Sequence, residues 1–201
     1  MLDNANLTLT GTRCKLVPYR SHHVETYNRW MQDPHLQQTT ESEPLSIEEE
    51  YAMQASWRDD EAKCTFIILD TSQPDTPGTG QHGGMMAGDV NLYLNDPDSQ
   101  GVAEIEVMVA EPACRRRGIA REALQLVQAY AVQRLAVVRF RAKVLEDNEP
   151  SLRLFKQLGY SEARRVQVFK EVHLELGRED GAHWEQLHSL HLHCGAYDNT
   201  P

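Results

Sequence analysis

The chain has 201 residues, 40% hydrophobic and 25% charged, a globular composition long enough to bury one core. Its 20 basic and 30 acidic residues give a formal charge of −10, which argues against binding nucleic acid or membrane through the whole surface. No apolar run approaches the ~18 residues of a membrane span, the N-terminus carries no signal-peptide pattern, and four dispersed cysteines (Cys14, Cys64, Cys114 and Cys194) point to a reducing compartment, cytoplasmic or nuclear.

In chain order, TRCKLVPY (12–19) reads as a short strand that stops at Pro18. Ser21 caps a helix running to about Asp33, with Val24, Tyr27, Trp30 and Met31 as its buried stripe, and Pro34 ends it. A second helix opens at Ser46, where Glu49 three residues on completes a capping box. CTFIILD (64–70) is an apolar strand. Residues 71–88, rich in Pro, Gly and polar side chains, read as a mobile loop without chemistry. DVNLYL (89–94) alternates as a strand and is closed by NDPDSQG, and VAEIEVMVA (102–110) is the next strand. A helix over about 117–134 keeps Ala120, Ala123, Leu124, Val127, Tyr130 and Ala131 on one face. VVRFRAKV (137–144) is a strand, PSLRLFKQLG (150–159) a short helix with an early Pro150 and a terminal Gly159, and VQVFKEVHLEL (166–176) a final strand. The stretch from 177, rich in His and Gly, reads as an irregular tail. This order predicts a single α/β (or α+β) domain, antiparallel in its first half and closed by a parallel strand–helix–strand crossover.

One turn stands out in this acidic chain. EPACRRRGIA (111–120) joins the strand at 102–110 to the helix near 117 and concentrates Arg115, Arg116 and Arg117 before Gly118. A helix start offers unpaired N–H groups and partial positive charge, glycine admits an anion to the backbone, and arginine forks suit phosphate oxygens. The Walker loop and the dinucleotide fingerprint are both missing from the sequence. The strand before the turn places Ala103, Ile105, Val107 and Val109 on one face and Glu104, Glu106 and Met108 on the other. Two carboxylates on one face of a strand are either solvent-facing or functional; the central place expected of this strand favours a site, since buried carboxylate pairs are exceptional.

RRRGIA fits the [Q/R]xxGx[G/A] turn of the GNAT N-acetyltransferase superfamily through Arg115, Gly118 and Ala120, and NEPSLRLFKQLGY supplies Asn148, Ser151, Gly159 and Tyr160 at that family's spacing. The two motifs, covering about residues 88–176, resemble its acyl-CoA site. SEPLSIEEEYAMQASW, CTFIILD and AEIEVM extend the resemblance to the N-acetyltransferase 9-like branch over most of the chain.

The resemblance implies a GNAT-like mixed sheet of six to seven strands flanked by helices, a domain over 1–176, a tail over 177–201, and acetyl-CoA as donor with no metal. It implies pyrophosphate on the backbone of Arg116, Arg117, Gly118, Ile119 and Ala120 with Arg115 nearby. The pantetheine arm would pair with the backbone of Met108 and Val109, with Asn148, Ser151 and Phe155 beside the cofactor. An amine must lose a proton before it attacks a thioester, so a base is needed. Glu104 stands eleven residues before Arg115, the offset of the base in GNAT histone acetyltransferases, and is the first choice. Glu106 is the second, or the pair grips the acceptor's cationic end. Many members carry a Tyr acid seven residues after the Asn; here Phe155 leaves that role vacant. Glu50, Tyr51 and Trp57 either line the acceptor groove or pack as core. The acceptor implied is a protein N-terminal α-amine, the branch name pointing to tubulin; a small-molecule amine and a non-catalytic acyl-CoA-binding scaffold are the alternatives. Cys114 beside the arginines is expected to have a lowered pKa. His188, His191, His193 and Cys194 lack the spacing of a structural zinc module and read as tail.

Overall fold

The computed structural model describes residues 4–76, 79, 82–94 and 101–197. Nine strands form one mixed sheet in the order β7-β8-β6-β5-β4-β3-β2-β1-β9. They are β1 (Leu7–Thr10), β2 (Cys14–Pro18), β3 (Lys63–Asp70), β4 (Met85–Tyr93), β5 (Val102–Val109), β6 (Arg139–Leu145), β7 (Ser161–Val166), β8 (Glu171–Gly177) and β9 (His193–Ala196). The helices are α1 (Val24–Trp30), α2 (Pro34–Thr40), α3 (Ile47–Asp59), α4 (Ile119–Arg134), α5 (Glu149–Gln157) and α6 (Ala182–Ser189). The only parallel neighbours among these strands are β5 and β6, joined by the crossover through α4. Among the described residues, no helix is long and apolar enough to cross a membrane.

Both faces of the sheet are covered, and β3 is buried at every position. Its Phe66 and Ile68 face a core shared with α4, α5 and α6, where Leu124, Val127, Phe155 and Trp184 pack. Its Ile67 and Leu69 face the opposite core under α1, with Tyr19, Tyr27, Trp30 and Met108. The period of two in a strand thus sends alternate residues into two separate cores.

Several elements differ from expectation. Pro34 starts α2 instead of ending a longer α1, because proline lacks only an N–H that the first helical turn leaves unpaired anyway. The first helix consequently stops at Trp30. The expected loop over 71–88 gives its last residues to β4, which begins at Met85, whereas NDPDSQG falls mostly outside the described residues. The expected single strand over 166–176 is a hairpin of β7 and β8, turning through Lys170 at φ 54°. The stretch read as an irregular tail contains α6, whose Trp184 packs on Phe140, and β9, which pairs with β1. These edge strands raise the sheet from the expected six or seven strands to nine.

Candidate active site

The sheet is breached where its two parallel strands part. β5 and β6 pair only at Val102–Arg139, Ala103–Phe140 and Glu104–Arg141, although β5 continues to Val109 and β6 to Leu145. Beyond Glu104 the strands diverge, and a cleft of about 340 Å³ opens between them. Ile105 to Met108 form one wall and Lys143 to Leu145 the other. Asn148, Ser151 and Phe155 reach it from the α5 side of the sheet, Tyr27 and Trp57 from the α1 and α3 side. The cleft is therefore open to both layers, and the edge of β5 that leaves β6 has backbone groups free to pair with an extended ligand.

The arginine turn follows the end of β5, the strand that forms one wall of this gap. Gly118 caps α4 in the left-handed region, φ 79°, and the first intrahelical bond runs from the Glu122 N–H to the Gly118 carbonyl at 3.1 Å. The N–H groups of Ile119, Ala120 and Arg121 precede that bond and remain for an anion. The three guanidinium groups divide their work. Arg115 donates to the carbonyls of Val109 (3.0 Å) and Ala110 (2.9 Å), clamping the end of β5. Arg117 pairs with the buried carboxylate of Asp70 at 2.8 Å and donates to Ser72 Oγ at 2.7 Å. Only Arg116, itself at φ 59°, points to solvent without a partner among the described residues. A fourth cation escaped the sequence reading. The Arg13 side chain lies 3.5 Å from the position a Cβ would take at Gly118. It is carried there by the β1–β2 turn, whose Thr12, Arg13 and Cys14 N–H groups all donate to Glu122. Burial would raise the Glu122 pKa, but these bonds and that from the Thr12 hydroxyl outweigh it and hold it below the usual carboxylate range. Cys114 has no lowered pKa: burial first, then the nearby Asp70 carboxylate, pushes it up to about 12.

The floor of the cleft carries the two expected carboxylates in unlike company. Glu104 meets Lys143 Nζ at 2.7 Å across the vertex where the strands part. Glu106 accepts from the Tyr93 hydroxyl at 3.1 Å. Glu106 keeps contact with solvent, yet the cleft walls remove much of its hydration. Burial raises its pKa, the Tyr93 bond opposes this, and repulsion from Glu104 adds to it. Tyr93 Oη is also 3.2 Å from Lys63 Nζ, and that ammonium lies 3.0 Å from the centre of the Trp57 ring. Burial lowers the Lys63 pKa to about 8.

A further carboxylate, unread from sequence, lies here. Asp89 on β4 stands opposite Met108 in the β4–β5 register, with Asn91 opposite Glu106 and Tyr93 opposite Glu104. Gly88 allows this close approach, since a Cβ there would fall 1.8 Å from the Met108 carbonyl oxygen. Burial raises Asp89 to a pKa of about 6, against the pull of its hydrogen bond from Asn91.

The remaining expected residues are placed as follows. Met108 is buried at the cleft and Val109 ends β5 beside it. Asn148 caps α5, accepting from the Ser151 N–H at 3.2 Å. Phe155 is 3% exposed, its ring 5.0 Å from that of Tyr160, and forms part of the cleft wall. Trp57 lines the cleft; Glu50 is buried under α1 with its Oε2 at 3.5 Å from Asn28 Nδ2; Tyr51 faces outward. His188 lies in α6, and His193 and Cys194 lie in β9 opposite Thr10 and Leu9.

Comparison with known proteins agrees with this architecture. Residues 13–161 match the family model described as Acetyltransferase (GNAT) domain. The chain is 49% identical over 175 residues to an N-acetyltransferase 9-like protein of Nematostella vectensis, covering 87% of this chain and 88% of that protein. It is 43% identical over 181 residues to the human alpha/beta-tubulin-N-acetyltransferase 9, covering 90% and 87%. Among solved structures, a spermidine N-acetyltransferase from Vibrio cholerae in complex with CoA and spermine superposes with a TM-score of 0.71 at 16% identity, covering 85% of this chain and 98% of that one.

Proposed function

The chain belongs to the GNAT acetyltransferase family, and from that premise we propose that it moves the acetyl group of acetyl-CoA to a primary amine, a protein N-terminal α-amine. Tubulin is the acceptor protein named in its human relative. The observation that carries this reading is the parting of β5 and β6 beyond Glu104, with carboxylates lining the gap and an anion-ready helix start in the segment that follows β5. In this reading the pyrophosphate rests on the N–H groups at the start of α4 with Arg116 beside it. The pantetheine pairs with the free backbone edge at Met108 and Val109, and Asn148, Ser151 and Phe155 close the opposite side.

The amine arrives as an ammonium and must lose a proton. Glu106 is the base, acting through a water. Its only hydrogen-bond partner among the described residues is a neutral hydroxyl, and its raised pKa suits proton uptake. Glu104, the first choice from sequence, is ion-paired with Lys143. The neutral nitrogen attacks the thioester carbon, the C–S bond breaks, and CoA leaves as a thiolate. The second nitrogen proton passes to water or to Ser151 and on to the thiolate, so one acetamide, one thiol and one proton result per turnover. The four dispersed cysteines, three of them buried, support the cytoplasmic setting we propose.

The test is release of CoA thiol with three acceptor sets: peptides with free N-termini, the same peptides N-terminally blocked but carrying lysine, and polyamines. Turnover confined to free α-amines is expected. Turnover confined to polyamines would replace the acceptor with a small molecule, and tight acetyl-CoA binding without thiol release would leave a scaffold.

A further inference from the structure

Resting on the acetyltransferase reading above, we propose that Asp89 is the carboxylate that receives the acceptor's ammonium group and fixes its line of approach to the acetyl carbon. Position is the first argument. A thioester whose pantetheine pairs with the edge at Met108 and Val109 presents its carbonyl beside Met108, and the attacking nitrogen must come within about 3–3.5 Å of that carbon. The side chain directly across from Met108 on the same sheet face is Asp89, whereas Glu106 lies opposite Asn91, one pair further toward the vertex.

The second argument is the state of the carboxylate. Asp89 is 2% exposed and lines the cleft. Both its hydrogen bonds fall on Oδ2, from Asn91 Nδ2 at 2.7 Å and from Tyr27 Oη at 3.3 Å, and Oδ1 has no donor among the described residues. Asn91 is fixed in turn by donation from Thr65 Oγ1 at 2.6 Å, so the carboxylate is aimed and held. No described cation forms an ion pair with it; Lys63, engaged by Trp57 and Tyr93, acts on it only through its nearby charge. A buried carboxylate without an ion-pair partner is costly and persists where a ligand completes it. What completes this one is a primary ammonium, which offers three donors and a charge. Asp89 takes one N–H as a hydrogen-bond acceptor and Glu106 removes the proton from another, so the two carboxylates divide binding from deprotonation.

The same burial sets a pH signature. The charged and titratable groups around Asp89 are Glu106 on β5, Lys63 on β3, Tyr93 on β4 and Tyr27 on α1, with Tyr19 and Glu50 behind Tyr27. Its folded pKa of about 6 exceeds the ordinary 3.8. Folding is therefore penalised where Asp89 is ionised, above about pH 6, and the penalty fades as pH falls to 4. Asn in its place keeps the shape and the acceptor oxygen and removes the penalty.

The experiment uses the full chain saturated with CoA, wild type and Asp89→Asn, titrated calorimetrically with n-butylammonium chloride and with butanol as neutral control. The ammonium should bind the wild type and bind Asp89→Asn roughly 10- to 100-fold more weakly, the range of a charge-assisted hydrogen bond, with butanol unaffected. With a turned-over peptide, the acceptor KM should rise by the same factor and kcat stay within a few-fold. The variant's Tm should exceed the wild type's at pH 7.5 and equal it at pH 4. Equal ammonium affinity in the two proteins, no ammonium binding by the wild type, a lower Tm at pH 7.5, or a collapse of kcat at unchanged KM would each overturn the assignment. A wild type that binds butylammonium through Asp89 yet acetylates no amine would instead sink the proposed function and leave the ammonium site standing.

Discussion

Gly118 offers the sharpest test of the phosphate turn, because the structure separates its two roles. At φ 79° it occupies the left-handed region, where an L-residue costs about 1–2 kcal/mol. Space is not the obstacle. A Cβ there would have Arg13 Cδ and Nε at 3.5 Å as its nearest neighbours, ordinary van der Waals contact. Gly118→Ala should therefore fold, with a Tm lower by roughly 2–8 °C for a chain of this size, and should lose acetyl-CoA affinity only several-fold. Gly118→Glu adds a negative charge roughly 5 Å from the pyrophosphate, worth about 3 kcal/mol per charge pair at an effective dielectric near 20. That corresponds to roughly 10²-fold in Kd. The nearby Arg13 would offset part of this, so the Arg13→Ala, Gly118→Glu double variant should bind more weakly still. Calorimetric titration with acetyl-CoA reads all four proteins. A folded Gly118→Glu variant of undiminished affinity would remove this turn as the cofactor site, whatever the alanine variant does.

The remaining expectations concern the floor, the wall and the support of the site. Glu106→Gln should leave acetyl-CoA binding intact and lower kcat by roughly 10²–10⁴-fold, less at high pH where more of the amine is already neutral; pH profiles of kcat and kcat/KM from 6 to 9 check it, and near-native turnover throughout would remove Glu106 as base. Glu104→Gln should cost less in kcat, since the side chain lost is the one bound to Lys143; a defect deeper than that of Glu106→Gln would restore Glu104 as base. Phe155→Ala should cost about 3–5 kcal/mol in urea denaturation because the ring is buried, whereas Phe155→Tyr should keep turnover within a few-fold; a large rate gain would show that leaving-group protonation limits the native protein. Glu122→Gln should lower stability at pH 7 by about 1.5–3 kcal/mol through its charge-assisted bonds to the β1–β2 turn. Its folded pKa lies below the ordinary 4.5, so that stabilisation is present above pH 4.5 and is lost as pH falls through the folded value; a wild-type-to-variant gap that failed to narrow in acid would refute the role.

Much of the fold was legible because burial writes a pattern into sequence. The alternation of β5 separated Ala103 and Ile105 from Glu104, Glu106 and Met108, and those groups do face different sides. The Ser46–Glu49 box opened α3 with both of its reciprocal bonds. What stayed illegible carries no such pattern. β9 is four exposed residues, HCGA, held by backbone pairing to β1, and β7 is exposed along most of its length. Backbone hydrogen bonds are the same for every residue, so an edge strand with a solvated face leaves little trace. The turn between β7 and β8 was missed for a related reason. Its left-handed residue is Lys170, which no rule about glycine would flag.

The site was half legible, and the division has one physical origin: sequence gives the charge of a side chain but not its direction. Three adjacent arginines advertised an anion site, yet Arg115 and Arg117 fasten β5 and Asp70, and of the three only Arg116 has no side-chain partner among the described residues. Their bonds fix the strand end and the loop on either side of the α4 start. Asp89 was invisible for the opposite reason. Beside a loop rich in glycine it looked like one more strand residue, and only the register against Met108 sets it across from the end of β5 that lines the cleft. In the proposed reading the site is polarised, basic toward the start of α4 and acidic at Asp89 and Glu106. Two substrates of opposite charge, the CoA phosphates and an ammonium, would each be drawn to the end that suits it, with the reacting carbonyl between them at Met108. A chain with a net charge of −10 would in this way bind a polyanionic donor without a basic surface, its field organised across a cleft instead of over the whole molecule.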